Sequence, residues 1–294
     1  MRKAAMLGLL ASLFLIAGMF TSAYGAANVY VDAATGDDAN AGDDPSTPVA
    51  TINHALTIVD DGGTINVAAG TYAEMIDVTG KSVTMLGPNA GISPNNPDGT
   101  PAARNPEAIL MATVHNTGPS DWGFGSYVLW AAPDVPNFTI DGFTVDGYNP
   151  SLSDPSDITG PNGVDKVGAT TGFVLEADNA TITNNIVKNC SQFPNYVFGE
   201  FNTVTDNRVT NNGVPDVLGY GTGVVGGTNA YCECEDNYME YNRGGFQFQG
   251  HNTASLATST IRNNMIKGVE SIGVFLNVMK KSANDWLITG NTIT

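Results

Sequence analysis

Cysteine is scarce: three residues in a chain of 294, Cys190, Cys232 and Cys234, too few to build a disulfide scaffold. Cys232 and Cys234 are two apart in a strand-like stretch, so both face one way and read first as small buried apolar residues. A metal or redox role, or a Cys190–Cys234 bridge in an oxidising compartment, is the alternative. Positive charge is also scarce, with 12 Lys and Arg against 29 Asp and Glu and a formal net charge of −17. Such a surface repels nucleic acid and anionic membranes, and suits an anionic polysaccharide only if calcium bridges the two. Leucine is too sparse for a leucine-rich repeat. No P-loop, Gly-x-Ser-x-Gly elbow, His-Glu-x-x-His or Cys-x-x-Cys is present, nor an Asp-Pro-His site of the uronate epimerase type.

Long apolar runs are missing except at the start. Arg2 and Lys3 precede an uncharged apolar run over 4–20, followed by the small residues Ala23, Gly25, Ala26 and Ala27. A basic head, an apolar middle and a small-residue end make a secretory signal, assigned to 1–26. The run is shorter than the roughly 20 residues of a full span, and no later stretch replaces it. The expectation is a secreted protein, extracellular, on the cell surface or in the periplasm, with no membrane span in the mature chain.

What is abundant is Gly, Asn, Thr and Val in short runs. A single helical segment follows Pro48, where Ile52, Ala55, Leu56 and Val59 line one face. After Gly62 the pattern is short strands between Gly, Asn and Asp turns. A seven-residue unit recurs there, beginning at Thr139, Thr181, Thr203, Glu233, Thr260 and Leu287. Its second position is apolar or Cys, its fourth is Asn, Asp or Gly, and its fifth is Asn in five copies. Its seventh is Val, Ile or Met. Successive copies are 42, 22, 30, 27 and 27 residues apart, and the 42 gap predicts a long loop over 148–171.

This is the signature of a solenoid whose coils carry a strand, a tight turn and a second strand. Positions two and seven point inward and stack on their equivalents, and the Asn and Gly positions admit the left-handed backbone that the turn needs. Stacked Asn side chains then bond from coil to coil. A further strand precedes each unit, at 172–176, 196–200, 223–226, 245–249 and 273–277. The expected fold is all-β, a right-handed parallel β-helix with three strands per coil and an N-terminal capping helix. The expected division is a cap segment over 27–61 and a β-helix over 62–294, with the helix cut short at its C-terminal end.

The opening Tyr30-Val31-Asp32, Gly36-Asp37-Asp38, Gly42, Pro48, Thr51-Ile52 and Ala55-Leu56 resembles the start of pectin-lyase-like β-helix proteins. Gly62 to Val67, Gly70-Thr71-Tyr72, Val83 to Gly87 and Ile140-Asp141-Gly142-Phe143 extend the likeness over the mature chain. That superfamily includes lyases, hydrolases, epimerases, esterases and non-catalytic adhesive proteins. The resemblance implies a helix that caps the solenoid and a substrate lying along one outer sheet. That sheet is the set of strands preceding each Asn unit.

Alternation there puts Phe173, Leu175, Phe246, Phe248, Val274 and Leu276 inside, and Val174, Glu176, Gln247, Gln249, Phe275 and Asn277 outside. Glu176 and Glu200 are the candidate acid and base of a glycosidase. Arg243 and His251, flanking one groove strand, are the candidates for lyase chemistry. Gln247, Gln249, Phe275 and Asn277 are the candidate sugar-binding residues. The acid-rich segment with Asp37, Asp38, Asp43 and Asp44 is a candidate calcium site, and the segment from Asp154 to Asp165 a weaker one. No cofactor other than calcium is implied. Two functions fit: a protein that binds or degrades polysaccharide, as a lyase or a glycoside hydrolase, and a non-catalytic surface or adhesive solenoid.

Overall fold

The Asn turns set the coil. In a computed structural model, residues 26–115, 126–153, 158–169, 171–214, 222–226, 232–249, 259–269, 272–277 and 286–294 are described. Gly142, Asn184, Asp206, Asp236, Asn263 and Gly290, the fourth residues of the six units, all have positive φ, between 54° and 82°. Only residues with no Cβ or a short polar side chain visit that region at low cost, which explains the restriction at this position. The fifth residues do different work. The amide N–H of Asn185 donates to Asn207 Oδ1 (3.0 Å), Asn207 to Asn237 (3.1 Å), Asn237 to Asn264 (2.9 Å) and Asn264 to Asn291 (2.9 Å). Phe143 N–H starts the series by donating to Asn185 Oδ1. The five Asn side chains form one column, as the repeat predicts.

Each turn joins two of three parallel sheets. Sheet A has nine strands, Ala26–Val31, Val59–Val67, Val83–Leu86, Phe138–Asp141, Thr181–Thr183, Asn202–Thr205, Cys232–Glu235, Ser259–Arg262 and Trp286–Thr289. Sheet B has eight, Gly70–Tyr72, Ala108–Met111, Thr144–Asp146, Ile186–Lys188, Arg208–Asn212, Tyr238–Asn242, Met265–Lys267 and Thr292–Ile293. Sheet C has seven, Ile76–Val78, Tyr127–Ala131, Thr171–Leu175, Phe193–Val197, Thr222–Gly226, Gly244–Gln249 and Ile272–Asn277. The chain visits A, B and C in turn. The sheets enclose a core of stacked aliphatic columns, and this is a right-handed parallel β-helix.

One sheet A column runs Val29, Ile65, Met85, Ile140, Ile182, Val204, Cys234, Ile261 and Ile288 in continuous register. All but the last are fully buried; Ile288 is 45% exposed. Ile288 continues the column in register with Ile261, and it is exposed because no further described strand covers it. Ile293, at the edge of sheet B, is exposed for the same reason.

The three cysteines are free thiols in the core, so the Cys190–Cys234 bridge is not formed. Cys232 and Cys234 share the inward face with sulfurs 3.2 Å apart. Burial among apolar neighbours pushes the Cys190 and Cys234 thiols well up, which keeps them neutral and unreactive.

The helix expected after Pro48 spans Ile52–Ile58. Thr51 caps it by accepting from His54 N–H, and the Glu74 carboxylate accepts from Ile52 and Asn53 N–H. Ile52 and Ala55 are buried against the first strands of sheets A and C. The strand Ala26–Val31 already belongs to sheet A, inside the segment read as cap.

A second polar column, between sheets B and C, was not anticipated. Cys190 N–H donates to Asn212 Oδ1 and Asn212 N–H to Asn242 Oδ1, while Asn189 and Asn211 bond side chain to side chain. Tyr241, with φ 55°, occupies the left-handed place that Asn189 and Asn211 hold in neighbouring coils.

Candidate carbohydrate-binding face

Sheet C turns one face to the core and the other outward. Its inward residues are as expected: Phe173, Leu175, Phe246 and Phe248 are buried. Gly226 sits where a Cβ would lie 2.0 Å from the Phe248 ring, so the small residue makes room for the large one. The outward column, read in register through successive coils, is Asp77, Trp130, Val174, Tyr196, Val225, Gln247 and Phe275. Val174 is outward yet only 2% exposed, packed between the larger Trp130 and Tyr196 columns.

Aromatic rings concentrate at the centre of this face. Tyr127 and Trp130 are 6.5 Å apart by centroid, Phe193 and Tyr196 5.4 Å, and Tyr196 and Phe198 4.0 Å edge to face. Two of the polar tips find a carboxylate. Trp130 Nε1 donates to Glu176 Oε2 at 2.8 Å, and Tyr127 Oη donates to Asp77 Oδ1 at 2.7 Å. Burial and the Asp77 carboxylate push the Tyr127 hydroxyl up to about 12, so it stays a donor at neutral pH. Burial raises Tyr196 likewise. Asp77 and Glu176 thus stand on either side of Trp130, one from the preceding coil and one from the following coil.

The residues singled out from sequence fall as follows. Glu176, Gln247 and Phe275 lie on this face, with Phe275 39% exposed and Gln247 accepting from Thr222 Oγ1. Gln249 and Asn277 are paired in register at the backbone. Glu200 does not neighbour Glu176. Register places Phe198 opposite position 176, and Glu200 stands level with Asp178, whose carboxylate accepts from Glu200 N–H. Glu176 and Glu200 are therefore not level with each other on the two strands.

Arg243 is buried at the corner before its strand and donates to the Val214 carbonyl. His251 lies outside the described residues, as do residues 154–157 of the weaker acidic segment. Asp37, Asp38 and Asp44 spend their oxygens on local turns: Asp38 accepts from Ala50, Thr51 N–H and Thr51 Oγ1, Asp37 from Ala39, and Asp44 from Ser46. Among the described residues no three acidic, His or Cys side chains gather into a group that could hold a metal ion. Asp77, Tyr127, Trp130 and Tyr196 went unread as site residues.

Three parallel sheets with three strands per coil and an Asn column at one turn define a right-handed parallel β-helix. Residues 157–294 match the family model described as a right handed beta helix region. No curated protein matches the chain in sequence. Among solved structures it is similar to a rhamnogalacturonan lyase, at 15% identity and a TM-score of 0.46, over 82% of this chain and 68% of that one. It is similar to XylC in complex with xylose, at 12% identity and 0.48, over 90% and 65%. A third is the pectate lyase Pel9A, at 14% identity and 0.40, over 91% and 81%. The chain spans about two thirds of the length of the first two. These likenesses are of fold. Among the described residues no helix is long and apolar enough to cross a membrane.

Proposed function

We propose that the protein is exported and binds a polysaccharide chain across the outer face of sheet C. The carrying observation is the aromatic row at the centre of that face, with Asp77 and Glu176 bonded to its polar tips. Sugar rings present apolar C–H faces, which stack on aromatic planes, and rims of hydroxyls, which donate to carboxylates and amides. Parallel coils repeat this chemistry about every 4.8 Å along the solenoid, so an extended chain meets it several times. Calorimetric titration with hexasaccharides of defined composition tests the reading. Trp130→Ala is expected to weaken the best ligand about tenfold, and unchanged affinity would remove the face from consideration.

Degradation of the bound chain is a second reading, favoured by the placement of Asp77 and Glu176 on either side of Trp130. Two carboxylates flanking one sugar site are the groups that glycoside hydrolysis uses. Release of reducing ends, lost in Glu176→Gln, separates hydrolysis from binding alone.

A further inference from the structure

We infer that the glycan held by sheet C is free of carboxylates, built of neutral sugars and not of uronates. The inference rests on the binding reading above and names the ligand class of that same face.

None of the seven strands of sheet C contains a Lys or Arg. The basic residues near the solenoid surface serve other sheets. Lys188, Arg208 and Lys267 belong to sheet B and Arg262 to sheet A, each paired with a carboxylate there. Arg243, the base nearest a sheet C strand, is buried and donates to a backbone carbonyl. Lys280 and Lys281 lie outside the described residues.

What the face does carry is acid. Asp77 is exposed, and its Oδ1 takes the Tyr127 hydroxyl; Glu176 is half-buried, and its Oε2 takes the Trp130 indole. Each carboxylate is thus fixed through one oxygen, and among the described residues its second oxygen has no bond within the protein. A fixed carboxylate oxygen beside an aromatic plane accepts a sugar hydroxyl well. The same oxygen repels a uronate carboxylate, and no cation stands on these strands to offset it. Like-charge juxtaposition discriminates strongly between ligands of equal length.

The experiment is titration of the whole protein with cellohexaose, xylohexaose, chitohexaose and hexagalacturonate, at low salt, with and without calcium. The best neutral hexasaccharide is expected to bind about tenfold or more tighter than hexagalacturonate, with the gap narrowing as salt screens the charges. Asp77→Asn combined with Glu176→Gln, which keeps an acceptor at each place, is expected to raise hexagalacturonate affinity and shrink that ratio. Hexagalacturonate binding as tightly as the neutral ligands, in either calcium condition, would overturn the inference and leave the binding face standing. A ratio unmoved by the double substitution would overturn it too. Binding of none of the four would remove the binding reading itself, and this inference with it.

Discussion

Trp130 and Glu176 are joined across adjacent coils: the indole Nε1 of one donates to the carboxylate Oε2 of the other at 2.8 Å. Their strands are neighbours in sheet C, so the bond ties two coils together on the outer face as well as orienting both groups. A partly buried indole N–H with a charged acceptor contributes about 1.5–3 kcal/mol to stability, more than a neutral pair.

Glu176→Ala is therefore expected to lower stability by about 1–2 kcal/mol, and Trp130→Phe by a similar amount. The double variant should cost less than the sum, because both changes remove the same bond. Urea denaturation of the four proteins gives the coupling; strict additivity would argue that the bond contributes nothing.

The Asn column is expected to be far less tolerant. Asn237 Oδ1 accepts from Asn207 N–H and Nδ2, and its own Nδ2 donates to the Val204 carbonyl and Asn264 Oδ1. Asn237→Leu strands a buried N–H and a buried carbonyl together, for about 2–4 kcal/mol. Thermal unfolding should show a melting point lower by several degrees.

Two isoleucines of one column should respond unequally. Ile261→Asp places an unpaired carboxylate in the closed core and is expected to cost about 4 kcal/mol or more. Ile288→Asp, at the sheet edge and 45% exposed, should cost a small part of that. Equal losses would contradict the edge assignment.

Backbone conformation yields a stabilising change. Tyr241 holds a left-handed conformation, φ 55°, that costs a residue with a large side chain about 1–2 kcal/mol. Tyr241→Asn is expected to recover about 1 kcal/mol, matching Asn189 and Asn211 above it. Gly142→Ala should do the reverse, since a Cβ there would lie 2.1 Å from Ala90 N. Chemical denaturation curves of both variants check the pair.

Asp206 links stability to pH. Burial in its turn, helped by the neighbouring Asp236 charge and opposed by Thr205, raises its carboxyl above the ordinary 3.8. The folded state then holds the proton more tightly than the unfolded chain. This favourable contribution is complete below the unfolded value and is lost as pH rises through the folded one. Asp206→Asn keeps a left-handed-tolerant side chain and removes the charge. It should stabilise the protein at pH 7, with the advantage vanishing on acidification below the ordinary carboxylate range, as measured by melting point against pH.

The coil was legible because its constraints are local. A left-handed residue, an Asn and two flanking apolar positions lie within seven residues, so the sequence displays them together. The groove strands from Thr171 onward were legible because one precedes each Asn unit, although the strand read at 196–200 lies at Phe193–Val197. Glu176 and Glu200 are out of step in register: the 22-residue interval between their units maps 176 onto Phe198.

Asp77 and Trp130 were missed for a different reason. Ile76–Val78 is too short for alternation to show, and Tyr127–Ala131 is apolar or aromatic throughout. The loop over 87–107 separates Ile76–Val78 from the regular repeat, so only the fold brings Asp77 beside Trp130 and Glu176. Composition does not reveal that Asp38 and Asp44 accept from backbone amides, which only the folded chain shows.

The Asn column has a sense. From Phe143 through Asn185, Asn207, Asn237 and Asn264, every backbone N–H donates to the Asn side chain of the following coil. A nascent or translocating chain, threading N-terminus first, can wind a coil but cannot lock its turn until the next Asn arrives. Order therefore trails emergence by one coil, and a pause between units leaves a single turn with its amide unmet.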